Sequence, residues 1–391
     1  MKTIYLDNAA TSFPKPNGVS AAMCNYIDNI GATVNRSVYG SARNAELVTL
    51  ELREMLGKLF NFKDPTHVVL TAGATASLNM AIKGFLQPGD HCLVSSMEHN
   101  AVMRPLQQLA DSGITFDRIP CDSEGILDVD AIAPLIKKNT RLLVMAHGSN
   151  VCGTVQNAEA AGKICREHNI AFVLDAAQTA GHYPIDFDKM GLSALSVPGH
   201  KGLLGPSGIG ALLLSPAFCK ALTPLIAGGT GSASDSELLP PYMPDRFESG
   251  TPNVPGIYGL HESVAFILKN GVSAMRSHEL ALTSQFIDGI KSIKNLRLCG
   301  TQDLSRRVGV ISLDFTQLDN AEVTFRLESE FGVLTRCGLH CAPCAHKTLG
   351  TFPQGTVRFS IGFKNTADDI ADALSAIQKI CENQYINRQA D

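Results

Sequence analysis

The sequence contains no long hydrophobic run and no run of charge of one sign. No stretch approaches the roughly 18–20 apolar residues that a membrane-spanning helix requires. The first residues, MKTIYLDNAATSFPKP, reach Asp7 without the apolar segment of a signal peptide. The 33 basic and 37 acidic residues leave a net charge of −4, which gives no support for binding to nucleic acid or to a membrane surface. We therefore expect a soluble protein of the cytoplasm with neither kind of partner.

A disulfide framework is also missing from the pattern. The 11 cysteines are odd in number and scattered from Cys24 to Cys381, whereas secreted disulfide scaffolds are short, dense and even-numbered. Reduced thiols in a reducing compartment fit better. With 391 residues, 45% hydrophobic and 18% charged, the chain is expected to fold as a compact enzyme with a large and a smaller domain.

Short apolar runs alternate with helical patterns in the first part of the chain. The runs lie at 66–72, 92–96, 114–120, 141–147, 171–177, 194–199 and 209–215, and the helical patterns at 74–86, 100–112 and 158–168. Such alternation predicts βαβ units, and therefore an α/β fold with a mainly parallel sheet covered on both faces.

The second part of the chain has a different texture. Residues 228–256 are rich in Gly, Ser and Pro, which predicts a long functional loop. Helical patterns at 258–293, 320–331 and 367–382, with strand patterns at 308–315 and 356–362, predict a smaller α+β domain. We expect an N-terminal segment joining the small domain (1–20), a large domain (21–257) and a small C-terminal domain (258–391).

Small and polar residues follow several predicted strands at the points where they end. Ligands bind outside the carboxyl ends of the strands in open α/β sheets. These residues are Ala74 and Thr75, His99, Asn150, Asp175 with Gln178, and His200 with Lys201.

Each of these residues also has a plain structural interpretation. Gly-Ala-Thr at a helix start is commonly a cap, although free N–H groups there suit a phosphate. Asp175 lies in an apolar run and needs a cationic partner. That partner is either a basic side chain in a salt bridge or a protonated pyridine ring. Lys201, flanked by glycine, is a candidate amine for a Schiff base because burial would lower its pKa. The combination of these residues, in this order at successive strand ends, is a more specific sign of a ligand site than any one of them alone.

The motifs LDAAQ, GHKGLLGPSGIG, FESGTPN and GLHCAP together resemble those of the fold-type I, class V aminotransferases. Within that family the chain is similar to the cysteine desulfurase and selenocysteine lyase group. The resemblance runs from YLDNAATS (5–12) to RFSIGFKNTADDI (358–370). It implies a large domain built on a seven-stranded-type sheet that binds pyridoxal 5′-phosphate (PLP), and a smaller α+β domain.

The resemblance also assigns roles to individual residues. For the cofactor, Lys201 would form the Schiff base, Asp175 would pair with the pyridine nitrogen, and His99 would stack on the ring. Asn150 and Gln178 would reach the phenolic oxygen of the ring. The phosphate would be held by Ala74, Thr75 and His200.

For the substrate, Arg358 would clamp the carboxylate, with Asn150, Asn8 and Ala10 lining the pocket and Arg36 entering from a partner subunit. Thr251 would reach the partner's phosphate, which implies a homodimer with shared sites. Pro198 stands where many relatives have a phosphate-binding Ser.

Cys341 matches the nucleophile of the group. Catalysis would use Lys201, His99 and Cys341 to convert L-cysteine to L-alanine and a Cys341 persulfide, which a sulfur-acceptor protein would receive for iron–sulfur assembly or thiolation. Only 17 positions separate Cys341 from Arg358, which resembles the short-loop branch. His340 or Arg336 would help to form the thiolate.

Three alternatives remain open. Selenocysteine lyase would use the same residues on L-selenocysteine. A class V aminotransferase, epimerase or β-lyase would leave Cys341 idle. A protein of another class would carry sulfur or metal on the cluster at 337–346, which contains Cys337, Cys341, Cys344 and His346. Our expectation for that cluster is incidental thiols, with no bound metal.

Overall fold

The computed structural model describes residues 2–35, 37 and 39–389, with side chains described up to residue 382. The strands are β1 (Ile4–Tyr5), β2 (Val68–Thr71), β3 (His91–Ser95), β4 (Thr115–Ile119), β5 (Thr140–Ala146), β6 (Ala171–Asp175), β7 (Ala194–Pro198), β8 (Gly210–Leu214), β9 (Leu296–Cys299), β10 (Val310–Phe315), β11 (Val333–Leu334), β12 (Arg336–Gly338) and β13 (Thr356–Ser360). The helices are α1 (Val19–Asn25), α2 (Gly40–Phe60), α3 (Ala74–Phe85), α4 (Asn100–Ala110), α5 (Ile132–Leu135), α6 (Ala158–Glu167), α7 (Pro216–Ala221), α8 (Val254–Asn270), α9 (Val272–Ile290), α10 (Asn320–Phe331), α11 (Pro343–Thr348) and α12 (Ala367–Gln389).

The central element is a seven-stranded sheet. Its order is β2-β8-β7-β6-β5-β3-β4, and only β8 runs antiparallel to its neighbours. The predicted α/β fold with a mainly parallel sheet is confirmed, and the sheet has the seven strands that the family resemblance implied.

Continuous apolar runs form the central strands because both faces of the sheet are buried. Along β5, Leu143 and Met145 pack under α2, α6 and α8, whereas Leu142 and Val144 pack under α3, α4 and α7. Side chains of a strand alternate between faces, so a strand covered on both sides carries apolar residues at successive positions. The sequence has no polar alternation there for this reason.

The sheet directs polar residues to one edge. Because β3, β5, β6 and β7 are parallel, the segments that follow them emerge together. β2 has the same direction as β7, since both are antiparallel to β8. The start of α3 therefore reaches the same edge.

The C-terminal part forms a second sheet, antiparallel in the order β12-β13-β10-β9, which packs with α9, α10 and α12 around a core of its own. The N-terminal strand β1 pairs in parallel with β11. The expected domain boundaries stay a prediction, and the one after residue 257 falls within α8. In the part of the chain that the structure describes, no helix combines the length and the apolar character needed to cross a membrane.

Candidate active site

A cavity of about 520 Å³ opens at the carboxyl edge of the seven-stranded sheet. This volume is within the range of small-molecule sites. Eight of the nine residues that are predicted to bind the cofactor line it, and they are Ala74, Thr75, His99, Asn150, Asp175, Gln178, His200 and Lys201. The strand order thus brings together residues that are 127 positions apart in the sequence.

One end of the cavity is built from a helix start. Gly73 caps α3 with φ 135°, a conformation that favours glycine, so the chain can turn directly from β2 into the helix. The first N–H groups of α3 have no partner within the helix and carry positive partial charge. His200 lines the same cavity, and its buried Nδ1 has no hydrogen-bond partner in the described structure. This end offers donors for an anion.

Asp175 and Lys201 carry opposite charges in the interior of the cavity. The Asp175 carboxylate accepts a hydrogen bond from the Ala177 N–H at 2.9 Å. Burial raises the pKa of Asp175, and among the described residues no cation lies within ion-pair distance of it. Burial also lowers the pKa of Lys201 to about 8, although Asp175 partly opposes this shift. The site therefore holds an amine that is easily deprotonated and a carboxylate that lacks a cation.

His99 presents a neutral ring. Its Nδ1 accepts a hydrogen bond from the Ala101 N–H at 3.0 Å, which caps α4 and places the remaining proton on Nε2. Burial, reinforced by the charge of Lys201, lowers the pKa of His99 to about 4. A neutral imidazole fixed at a helix start is suited to packing against a planar ligand.

Glu98 is a site-supporting residue that the sequence did not single out. Its carboxyl group is fully buried and accepts hydrogen bonds from the Ser95 hydroxyl and from the Ala146 N–H, the latter at 2.9 Å. Burial raises the pKa of Glu98 to about 8. The neutral acid therefore ties the end of β3 to the end of β5, which precede His99 and Asn150.

Arg358 lies at the rim, on β13, and is almost completely buried. Its Nη2 is 2.6 Å from Asp7 Oδ1, and its Nη1 donates to the Asn150 carbonyl at 3.2 Å. The Nε atom is buried and has no partner in the described structure. The guanidinium is thus fixed beside a residue of the cavity and retains free N–H donors.

Cys341 lies in a turn anchored to the same rim. The carbonyl of His340 accepts from Asn150 Nδ2 at 2.7 Å, and the carbonyl of Cys341 accepts from the Asn100 N–H at 2.8 Å. Both His340 (φ 47°) and Cys341 (φ 58°) have left-handed backbone conformations, which are uncommon for residues other than glycine. The Cys341 side chain is exposed. The fold thus fixes the backbone of this turn while leaving the thiol accessible.

The chain matches the model of the family "Aminotransferase class-V" over residues 4–373. The chain belongs to the class-V aminotransferase family. It is 32% identical over 390 residues to a probable cysteine desulfurase of Pyrococcus abyssi, covering 98% of this chain and 95% of that one. A probable cysteine desulfurase of Methanothermobacter thermautotrophicus is 31% identical over 372 residues, covering 94% and 92%. The apo structure of a cysteine desulfurase from Thermococcus onnurineus NA1 superposes with a TM-score of 0.91 at 30% identity, covering 97% and 95%. The predicted family is confirmed.

Class-V enzymes depend on PLP, and the cavity suits the parts of that molecule. The unpartnered His200 Nδ1 and the α3 start suit its phosphate, the Asp175 carboxylate suits a protonated pyridine nitrogen, and Lys201 suits the aldehyde. His99 is available for the ring face. The donors and charges present therefore fit the cofactor of the family.

Three further predicted site residues, Asn8, Ala10 and Thr251, lie outside this cavity. Asn8 donates through Nδ2 to the Ser360 carbonyl at 2.9 Å, next to Lys201 in a smaller cavity. Ala10 is half-buried in a turn that begins at Asp7. Thr251 is exposed in a neighbouring groove that shares Ala72, Ala76 and Gly208 with the cavity. Arg36 is outside the described residues.

The residues around Cys341 determine whether a cation or a metal ion could lie next to its thiol. Burial, together with the charge of Arg358, lowers the pKa of His340 to about 2, so its imidazole is neutral and offers no cation to the thiol. His346 Nδ1 lies 2.7 Å from Thr351 Oγ1. Within the described residues, no three His, Cys, Asp or Glu side chains are grouped so that they could hold a metal ion. The geometry therefore gives no support to a metal-carrying cluster at 337–346.

Proposed function

We propose that this chain is a PLP-dependent L-cysteine desulfurase that leaves the substrate sulfur on Cys341 as a persulfide. The observation that carries the proposal is the anchored Cys341 turn. Hydrogen bonds from Asn150 and Asn100 hold this exposed cysteine beside a cavity that presents Lys201 and Asp175. An aminotransferase has no use for a thiol in that place.

We infer that PLP occupies the cavity, held by the residues whose fit is described above. When bound, PLP supplies an electrophilic carbonyl for the substrate amine and a ring that delocalises the electrons left on Cα. Asp175 would keep the pyridine nitrogen protonated, because an ion pair offsets the cost of burying that carboxylate. His99 would exclude water from one ring face.

Lys201 and Arg358 would act on the substrate itself. With a pKa near 8, a substantial fraction of the Lys201 amine is neutral at physiological pH, so Nζ can accept the Cα proton. Arg358 can bind the substrate carboxylate through its remaining N–H groups while Asp7 and Asn150 fix its plane. Together they would orient Sγ towards the Cys341 turn.

The sulfur step balances without a further oxidant. The Cys341 thiolate attacks the substrate Sγ, an S–S bond forms, and the Cβ–Sγ bond breaks with its electron pair passing to Cβ. Protonation of Cβ and Cα completes alanine. The sulfur is oxidised to the persulfide level and Cβ is reduced, so cysteine and one thiol give alanine and one persulfide.

A second copy of the chain would complete the site. The groove that contains Thr251 adjoins the phosphate end of the cavity at Ala72 and Gly208, and exposed Leu50 and Ile226 line it. An apolar groove next to a phosphate site supports a homodimer in which Thr251 serves the partner's cofactor.

The persulfide would pass to a sulfur-acceptor protein, and iron–sulfur assembly is one process that such a donor supplies. All eleven cysteines are free in the structure, which supports the reducing cytoplasm as its compartment. L-selenocysteine would bind through the same contacts, so we include it as an alternative substrate.

The test is to incubate PLP-loaded protein with L-cysteine and a reducing thiol, and to quantify alanine and sulfide. Cys341→Ser should abolish both products while leaving the cofactor absorbance intact. Cys344→Ser, which removes a thiol three residues away, is the matched control and should retain activity. Alanine formation by Cys341→Ser at the wild-type rate would refute the proposal, and the absence of alanine from wild type would direct the search to selenocysteine and then to transamination.

A further inference from the structure

Four hydrogen-bond donors converge on the carbonyl oxygen of His200. They are Ser12 N–H at 2.9 Å, Thr11 Oγ1 at 3.1 Å, Ser12 Oγ at 3.2 Å and Lys15 Nζ at 2.9 Å. A carbonyl oxygen has two lone pairs, so this is an unusual concentration of donors. The donors come from residues 11–15, and the carbonyl belongs to the peptide that joins His200 to Lys201. The N-terminal segment is thus fastened to the backbone next to the reactive amine.

Lys15 is the charged member of this group and lacks an acidic partner. Its Nζ also lies 2.8 Å from Ser12 Oγ, and among the described residues no carboxylate is within ion-pair distance of it. Its side chain is partly buried, and this burial lowers the pKa of Lys15 to about 8. A partly buried ammonium without a carboxylate carries a desolvation cost that an anion nearby would offset.

The adjacent cavity needs positive charge at its phosphate end. The phosphate of PLP carries a charge of about −1.5 to −2 at neutral pH. Lys201 is the one Lys or Arg among the described residues that line the cavity, and its amine would be used by the aldehyde. His200 is neutral, because burial and the neighbouring Lys201 and Lys15 charges lower its pKa to about 4. The residues that line the cavity thus give its phosphate end dipoles and N–H groups but no full positive charge.

We propose that Lys15 is a positioning residue of the phosphate end, which supplies that charge from behind the His200 backbone and fixes the His200 side chain against the phosphate. The inference rests on the proposed cofactor and not on the sulfur chemistry. Lys15 acts through His200, so it needs no contact with the cofactor. Loss of the ammonium should weaken the phosphate end and leave the ring and aldehyde contacts in place.

The experiment measures ligand binding to the cofactor-free protein without any turnover. Lys15→Met removes charge and donor, and Lys15→Gln keeps a donor without charge, so it replaces the first variant if that one fails to fold. Both are titrated with PLP, with pyridoxal, which lacks the phosphate, and with inorganic phosphate as a competitor of PLP. Lys63→Met, which removes an exposed lysine, is the control.

We expect the dissociation constant of PLP to rise about tenfold in the Lys15 variants, the order of the interaction between two charges several ångströms apart in a partly buried site. The inhibition constant of phosphate should rise by a similar factor, whereas pyridoxal should bind as to wild type. An unchanged PLP affinity, or equal losses for PLP and pyridoxal, would overturn the inference, since a merely structural role weakens both ligands.

Failure of the proposed function gives a different pattern. Wild-type protein that binds neither PLP nor pyridoxal would overturn the cofactor proposal and this inference together. Wild-type protein that binds PLP but makes no alanine would overturn the desulfurase activity and leave the role of Lys15 standing on its own result.

Discussion

Replacement of Arg358 by Met tests how the substrate carboxylate is bound. A guanidinium has five N–H donors, and in Arg358 one is used by Asp7 and one by the Asn150 carbonyl. The buried Nε–H and one N–H on each Nη remain, which is enough for a two-point contact with a carboxylate. Methionine preserves most of the buried volume, and Asp7 is partly exposed and can regain water when its partner is lost.

Hydrogen bonds to charged groups contribute about 1.5–3 kcal/mol, so kcat/KM for L-cysteine should fall roughly 10- to 150-fold in Arg358→Met. KM should account for most of the change, and the spectrum of the bound cofactor should stay as in wild type. Arg297→Met, which removes an arginine from the same sheet at β9, is the control and should leave KM unchanged.

Cysteamine, which has the amine and thiol of cysteine but no carboxylate, decides the interpretation. If Arg358 binds the carboxylate, wild type and Arg358→Met should bind cysteamine equally well, as measured by the change in cofactor absorbance. Equal losses for cysteine and cysteamine would refute the carboxylate clamp, because the variant would then have damaged the site as a whole.

Two further predictions concern charges in the interior. The rate at which cofactor-free protein incorporates PLP should rise with pH with a midpoint near 8, because the pKa of Lys201 is lowered to about 8 and the neutral amine is the reactive form. Stopped-flow absorbance measures this rate. Asp175→Asn should move that midpoint to lower pH, since Asp175 raises the pKa of Lys201, and an unmoved midpoint would contradict the coupling. Arg53→Met breaks an ion pair with Glu248, at 2.7 Å, that is largely buried. The free energy of unfolding, measured in urea, should therefore fall by about 3–5 kcal/mol. The control Lys291→Met breaks an exposed ion pair and should lower it by less than about 1 kcal/mol.

The sheet could be predicted from the sequence because its strands are buried on both faces. A continuous apolar run such as that of β6 is typical of a strand buried on both faces of a parallel sheet. The polar residues that follow such runs mark the edge of the sheet where ligands bind. Helix α2 was not predicted, although Leu52, Leu56 and Phe60 recur every four residues and pack into the core. Those residues are interspersed with Arg, Glu and Lys, so no compact apolar run marked the segment.

The supporting contacts of the site could not be predicted in the same way. Glu98 stands beside His99 in the sequence, yet its role depends on the Ala146 N–H, which a different strand provides. No local pattern records such a contact, because a carboxylate that follows a strand is also what an unrelated salt bridge would show. Motif resemblance supplies the candidates for contact with a cofactor, whereas the residues that hold those candidates in place are seen only in the fold.

The N-terminal segment shows why both kinds of information are needed. Within nine residues, Asp7 pairs with Arg358 and Lys15 reaches the His200 carbonyl, so one short segment connects the predicted substrate clamp with the predicted cofactor amine. These contacts span 351 and 185 positions of sequence. The Asp7 contact lies within the C-terminal part, because β1 pairs with β11 and Asp7 bridges to Ser360 at the end of β13. The Lys15 contact joins the same segment to the loop that follows β7 of the seven-stranded sheet. The segment therefore links the two halves of the candidate site, and a change in either anchor of the segment should be felt at both.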